Sequence, residues 1–283
     1  RRTGDVPVTD GAGEVVAAGR QVHDIRKGAR VTSAYFKGWV DGPFSHERLD
    51  HVPGWTADGV LADYVVLDGV DAIPIPDGMT YEEASTLPTA GVTAWNAVAG
   101  RHALHPADIV LIQGTGGVST FALQFAVASG ARVIVTSSAD DKLAHAKALG
   151  ARDGINYKVE PDWARRVMEI TQGHGADLVV DVGGKATLKQ SVDSLADGGT
   201  VAVIGGLTGY DGDISAWGLM KKAATARTIF VGSRADYLHM LAFMRSHHVH
   251  PLVERVFPLD EYEAALRMMA AGQFTGKIVL TLM

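Results

Sequence analysis

No cysteine occurs among the 283 residues, so neither a disulfide nor a thiolate metal site can form within this chain. The same absence fits a reducing compartment, and a cytoplasmic location is expected from it. Basic charge is not in excess: 26 Lys and Arg stand against 32 Asp and Glu, a net charge of −6. That balance provides no general surface for nucleic acid or for an anionic membrane, and neither is expected as a partner. No apolar run reaches the roughly 20 residues that a membrane-spanning helix needs. Internal repeats and low-complexity tracts are also missing. Hydrophobic residues still make up 47% of the chain, enough to fill one large core or two modest ones.

The most informative stretch runs from Ala107 to Thr136. Ile109 to Ile112 has the length and branching of a strand buried on both faces of a parallel sheet. It stops at Gly114-Thr115-Gly116-Gly117, where the backbone can turn tightly and approach a ligand. Val118 to Ser129 then carries apolar residues at helical spacing, and Gly130 ends it. A second strand follows from Arg132 to Thr136. Strand, glycine turn and helix N-terminus together make a phosphate cradle, because unpaired amides and the helix dipole converge there. Ser119 stands where the third glycine of G-x-G-x-x-G would be, and it is small enough for close helix packing. The segment reads as a dinucleotide-binding unit.

The end of the second strand selects among dinucleotides. NAD-binding units place an Asp or Glu roughly 20 residues on, to accept hydrogen bonds from the adenosine ribose. Here the strand runs into Thr136-Ser137-Ser138, with Lys142 just beyond. Hydroxyls and an ammonium suit a 2′-phosphate, so NADPH is the expected cofactor. Asp140 and Asp141 oppose this only if they point inward, whereas a first helical turn also suits them as solvated residues. Lys142 taken alone fits a solvated helix position equally well.

Elsewhere, residues 1–96 are rich in short strands, with apolar runs at Gly13 to Ala18 and Ala62 to Leu67 and an irregular stretch over 35–59. Thr80-Tyr81-Glu82-Glu83 is a capping box that opens a short helix. Residues 97–235 alternate strand and helix, with further strands expected at Asp177 to Val182, Thr200 to Ile204 and Thr228 to Val231. Two of these end in glycine pairs, Gly183-Gly184 and Gly205-Gly206, which point towards the ligand crevice of an open α/β sheet. Residues 236–283 hold a helix that begins near 235, a strand over Val253 to Phe257, a helix over Leu259 to Ala271 and a strand over Lys277 to Leu282. The fold expected is α/β: a doubly wound parallel sheet of Rossmann type beside a second, β-rich domain.

The combination resembles the medium-chain dehydrogenases/reductases, and within them the zinc-free quinone-oxidoreductase branch. The likeness rests on Asp10-Gly11-Ala12-Gly13-Glu14-Val15, Leu87-Pro88-Thr89-Ala90-Gly91-Val92-Thr93-Ala94-Trp95, the glycine loop, Lys147-Ala148-Leu149-Gly150-Ala151 and Gly276-Lys277-Ile278-Val279-Leu280. It implies a GroES-like substrate domain at 1–96, a Rossmann domain at 97–235, and a helix and tail at 236–283 that return to the first domain. It also implies that a segment of the family pattern precedes Arg1. Gly116, Gly117 and Val118 would face the pyrophosphate, with Gly114 and Thr115 in the same loop. Lys142 and Tyr157 would grip the 2′-phosphate beside Ser137 and Ser138. Thr93 would sit by the nicotinamide ribose or carboxamide. Val182, Gly183, Ile204, Gly205, Phe230, Val231 and Gly232 would line the ribose and nicotinamide pocket, and Lys277 would lie near the pyrophosphate. Thr93, Tyr157 and Lys277 are each also consistent with plain packing or surface roles.

Zinc-dependent relatives hold their catalytic ion with cysteines and a histidine. Thr9 and Thr89 stand at two of those positions, and a threonine hydroxyl is a poor zinc ligand. His46, Asp50 and His51 are a weaker metal alternative, better read as loop residues. Without a Lewis acid, oxidation of an alcohol loses its means of stabilising the alkoxide. Reduction of a quinone or an α,β-unsaturated carbonyl needs less help, since the negative charge delocalises onto oxygen. The expected activity is therefore an NADPH-dependent, zinc-independent reductase of such acceptors. Alternatives are a metal-free alcohol or aldehyde oxidoreductase, or an NADPH-binding protein with little turnover. Tyr35, Phe36, Trp39, Phe44 and Trp55 suit either a wall for a flat substrate or core packing. The proton donor is unassigned, with Tyr35, His46 and His51 as candidates. A homodimer paired through the last Rossmann strand, Thr228 to Val231, is also expected.

Overall fold

A computed structural model describes residues 6–99 and 104–282. The first five residues of the expected 1–96 domain and residues 100–103 of the expected 97–235 domain lie outside the described residues. The chain divides into two compact units, one of Arg1–Val92 with Val231–Met283 and one of Thr93–Phe230.

The first unit begins with three short strands, β1 (Ala12–Glu14), β2 (Arg30–Ser33) and β3 (Ala72–Pro74), paired antiparallel in the order β1-β2-β3. Its core gathers Phe36, Trp39, Val52 and Ile73. Phe36, Trp39 and Phe44 meet edge to face with centroids 5.5–5.6 Å apart, so Phe36 and Trp39 are packing residues; Trp55 is 55% exposed. Helix α1 (Tyr81–Ser85) opens on the capping box: Glu83 N–H donates to Thr80 Oγ1, and Thr80 N–H donates to the Glu83 carboxylate. A wide π-type turn at Leu87–Gly91 then leads into α2 (Val92–Ala99). The expected run at Ala62 to Leu67 is not a strand; Tyr64 and Val66 are exposed, and no ladder partner faces them among the described residues. An apolar alternation forms a strand only where another backbone can pair with it.

The second unit is a six-stranded parallel sheet: β4 (Ile109–Gln113), β5 (Arg132–Ser137), β6 (Asp153–Asn156), β7 (Ala176–Asp181), β8 (Leu195–Val203) and β9 (Thr225–Thr228). Their order is β6-β5-β4-β7-β8-β9, which is the Rossmann order 3-2-1-4-5-6. The helices between them are α3 (Gly117–Ala128), α4 (Asp140–Ala148), α5 (Trp163–Ile170), α6 (Leu188–Asp193) and α7 (Ala216–Lys221). Every residue of β4 is buried, as a central strand covered on both faces requires. One core cluster joins Leu111, Ile134, Ile155, Val167, Val179, Leu195 and Val201 across five strands and α5. The last strand lies three residues before the expected Thr228 to Val231. An edge strand is fixed by its backbone ladder to β8, so Thr225-Ala226-Arg227-Thr228 needs no apolar face, whereas buried Ile229 and Val231 lie beyond it. The apolar edge expected for dimer pairing is thus a polar one, three of whose four residues are exposed.

The remainder of the first unit is α8 (Arg234–His247), β10 (Val253–Pro258), α9 (Tyr262–Ala271) and β11 (Lys277–Thr281). β10 and β11 pair in parallel, and α1 packs against both of them and against β1.

Candidate functional site

In the Rossmann unit the sheet order reverses between β4 and β7, and the loops after these two strands open the crevice where such sheets bind ligands. Gly114 holds φ +72°, a left-handed conformation that favours glycine, and its N–H donates to the Thr136 carbonyl at 2.7 Å. The glycine turn is therefore pinned to the end of β5. Gly116 caps α3 with no side chain, and a Cβ built on it would meet nothing within 4 Å. The amides at the start of α3 thus face open space, which suits a bulky anion. Thr115 is buried, while Gly117 and Val118 keep partial exposure. Ser119, in the third-glycine position, is buried and donates to the Gln113 carbonyl at 2.7 Å, which locks the first turn of α3 onto β4.

At the end of β5, Ser137 is buried and Ser138 half-buried. The Tyr157 N–H donates to the Ser137 carbonyl at 3.0 Å, so the end of β6 brings Tyr157, 42% exposed, next to Ser137. Lys142 lies in the first turn of α4, half-buried. Asp140 and Asp141 are both exposed, and Asp140 accepts a 2.8 Å hydrogen bond from Asn156 Nδ2. The strand end itself therefore offers hydroxyls, and the nearest carboxylates occupy the solvent side of the helix.

One cluster escaped the sequence reading. Asp181 ends β7 with no exposure at all and accepts from four partners. Gln113 Nε2 donates at 3.1 Å, Ser191 Oγ at 2.5 Å, Thr187 Oγ1 at 2.9 Å and the Gly184 N–H at 2.9 Å. Gln113 Oε1 also accepts from the Gly183 N–H. The signal available in the sequence was a polar residue one or two places before glycine at the end of two apolar strands, Gln113-Gly114 and Asp181-Val182-Gly183. The main chain after β8 folds back to the same place: the Ile204 N–H donates to the Asp181 carbonyl at 2.9 Å. A Cβ on Gly205 would fall 2.3 Å from the Val182 carbonyl oxygen, so only glycine permits that approach. Val182, Gly183, Ile204 and Gly205 are thereby gathered at neighbouring strand ends. Phe230, 42% exposed, closes this unit, and Thr93 opens it, buried in α2.

The other unit holds Val231, Gly232 and Lys277. Val231 is buried at φ +53°, a strained backbone for a β-branched residue. Gly232 has Val92 and Asp236 too close for any Cβ. Lys277 Nζ lies 3.9 Å from Asp10 Oδ2, and Thr89 Oγ1 donates to Asp10 Oδ1. Burial raises the Asp10 pKa, against the opposing pull of Lys277 and the hydrogen bonds from Thr89. Thr32 Oγ1 and Tyr237 Oη share a 2.8 Å hydrogen bond in the same unit, and burial pushes the Tyr237 phenol well above its ordinary range. His46, Asp50 and His51 sit exposed on a 3₁₀ turn. Among the described residues, no three His, Asp or Glu side chains converge as a metal site would require.

The Rossmann order, the bare α3 N-terminus and the accompanying β-rich unit identify the type of protein, and comparison with known proteins agrees. Residues 2–77 match the alcohol dehydrogenase GroES-like domain and residues 117–246 match the zinc-binding dehydrogenase family. A zinc-type alcohol dehydrogenase-like protein of Schizosaccharomyces pombe is 40% identical over 97% of this chain and 81% of its own length. The chain belongs to the medium-chain dehydrogenase/reductase superfamily. A solved NAD-dependent alcohol dehydrogenase is 30% identical, with a TM-score of 0.88 over 100% of this chain and 84% of that one. A 2-octenoyl-CoA carboxylase reductase, solved with NADP and 2-octenoyl-CoA, is 27% identical, with a TM-score of 0.84 over 98% of this chain and 68% of that one. This medium-chain protein is accordingly an oxidoreductase with a nicotinamide cofactor. Thr89, at one of the positions where zinc-dependent relatives carry a ligand, donates its hydroxyl to the Asp10 carboxylate.

Replacing Asp181 by Ala strands four donors in a dry interior. The expected loss of stability is at least about 3 kcal/mol, read by urea denaturation. Nucleotide binding should weaken as well, because the strand-end glycines lose their anchor.

Proposed function

We propose that this protein is a zinc-independent, NADPH-dependent oxidoreductase that passes hydride to a quinone or an α,β-unsaturated carbonyl. The observation that carries the cofactor choice is the end of β5, where Ser137, Ser138 and Tyr157 meet with Lys142 nearby in α4 and no carboxylate at the strand end. A 2′-phosphate finds donors there, whereas an NAD ribose lacks its usual acceptor. Gly114, Thr115, Gly116, Gly117 and Val118 take the pyrophosphate on the amides of α3. Val182, Gly183, Ile204, Gly205 and Phe230 line the ribose and nicotinamide, with Thr93 at the start of the same unit. For Val231, Gly232 and Lys277, which belong to the other unit, the cofactor role rests on the resemblance alone. Bound NADPH supplies the hydride; the chain's own residues orient the acceptor, exclude water and handle the proton.

The acceptor class is supported by the donor set. Thr89 carries a hydroxyl, bonded to Asp10, where a metal ligand would stand in zinc-dependent relatives, and charge that delocalises onto a quinone or enone oxygen needs no Lewis acid. The 2-octenoyl-CoA carboxylase reductase, 27% identical, was solved with NADP and 2-octenoyl-CoA, an α,β-unsaturated thioester, which favours the same class. The alcohol dehydrogenase names of other relatives keep a metal-free alcohol or aldehyde oxidoreductase as the second reading. A cytoplasmic location is part of the proposal and rests on the absence of cysteine; no described helix is long and apolar enough to cross a membrane.

Three measurements test this. NADPH oxidation is followed with menadione, 2-cyclohexenone and benzaldehyde: turnover of the first two supports the reading, benzaldehyde alone the second one, and tight binding without turnover a non-catalytic role. Lys142→Ala should weaken NADPH by about 10- to 100-fold, the worth of one charge-assisted contact, and leave NADH nearly unchanged; equal effects on both would remove Lys142 from the phosphate site. Finally, we propose a homodimer through the edge strand β9. Light scattering at micromolar concentration should give the mass of two chains, and a single-chain mass would reject it.

A further inference from the structure

The first turn of α4 carries two acids, Asp140 and Asp141, beside Lys142. A 2′-phosphate that reached Lys142, Ser137, Ser138 and Tyr157 would approach that turn too. At 4–6 Å in water, repulsion between a carboxylate and a doubly charged phosphate amounts to roughly a 10- to 30-fold loss of affinity. Helix polarity favours an acid in this turn without deciding which way it points. For Asp140 the Asn156 amide decides it. Asn156 is the last residue of β6 and stands opposite Ser137 in the ladder. Its Nδ2 donates to Asp140 Oδ1 at 2.8 Å. The amide is itself oriented, because Asn156 Oδ1 accepts from the Lys158 N–H at 3.1 Å and leaves Nδ2 to face Asp140. The Asn156 carbonyl accepts from the Val159 and Glu160 N–H groups, so the turn after β6 closes around this one residue.

The direction follows from the helix. Successive residues turn by about 100°, so Asp140, Ala144 and Lys147 fall on one stripe, whereas Lys142 points about 200° round from Asp140. That stripe lines an open groove on the β6 side of α4, which Asn156 and Glu160 complete. Ser137, Ser138, Lys142 and Tyr157 do not line it. The carboxylate is thus tied into a groove that the phosphate donors do not share. We propose that Asn156 is a specificity-determining residue: by holding Asp140 in this groove it preserves the preference for NADPH over NADH. This rests on the NADPH reading above, and every residue concerned lies in the Rossmann unit. Without the amide, Asp140 is released, and its carboxylate can swing towards the strand end two residues before it. The cost then falls on the nucleotide that carries the extra phosphate.

Calorimetry of the full chain with NADP⁺ and with NAD⁺ reads binding without turnover. Asn156→Ala should weaken NADP⁺ by about 5- to 30-fold and NAD⁺ by about 2-fold or less. The loss should shrink between about 50 and about 500 mM salt, because screening weakens repulsion. In an Asp140→Ala background the same substitution should cost nothing, since the charge it releases is gone. Asp141→Ala in place of Asp140→Ala should not suppress the loss. Asn156→Ser keeps an acceptor for the Lys158 N–H but is too short to reach Asp140, and it should repeat the pattern if the alanine variant fails to fold. Equal losses for both nucleotides, a loss that persists without Asp140, or unchanged NADP⁺ binding each overturn the inference and leave the NADPH reading standing. A wild-type protein that binds NAD⁺ more tightly than NADP⁺ overturns both.

Discussion

The buried carboxylate of Asp181 is the constraint on which the Rossmann crevice depends. A parallel sheet ends its central strands in free amides and carbonyls, and at a ligand site these cannot all be closed by neighbouring strands. Asp181 answers this by gathering donors from β4, from the turn after β7 and from α6, while its own carbonyl receives the chain leaving β8. An unpaired ion at that depth would cost several kcal/mol; four donors offset the loss and fix the strand ends relative to one another. The glycines can then stay bare and open, because the polar residues behind them carry the order. Rigidity sits one layer back from the surface that would meet the cofactor.

That division explains what could be read from the sequence and what could not. The glycine loop, the strands Ile109–Gln113 and Arg132–Ser137 and the capping box at Thr80 were legible because local chemistry decides them: branched residues, a turn that needs positive φ, a cap with its acid three places on. The Asp181 cluster was not legible, since its bonded members stand 3 to 78 residues apart and no periodicity links them. The last strand was misplaced for a related reason. Apolar content marks burial, and Ile229 and Val231 are buried without being in the sheet, whereas β9 is in the sheet with little burial. Ladder hydrogen bonds leave no mark in composition.

The same sorting applies to charge. Asp140 and Asp141 raised a real conflict in the sequence, because two carboxylates beside a 2′-phosphate would repel it. In the structure both are exposed, and Asp140 is held by Asn156 at the start of α4, where negative charge is favourable to a helix. A carboxylate that would choose NAD has to sit at the tip of β5 and reach the ribose; one a turn further on stabilises the helix instead. Three residues along the chain separate the two outcomes, Ser137 from Asp140, and in a strand-to-helix turn that spacing changes which way a side chain faces.

Thr89 ties the turn after α1 to a residue just before β1 through a hydrogen bond to Asp10. Thiolate or imidazole in such a place holds a cation, and the cation then polarises oxygen. A hydroxyl is a weaker ligand, and here its proton is engaged by the Asp10 carboxylate. Asp10 also lies 3.9 Å from the Lys277 ammonium, so groups from two distant segments meet on one carboxyl. A metal-ligating side chain placed at residue 89 alone would give up the hydrogen bond to Asp10 and would still find a threonine at position 9.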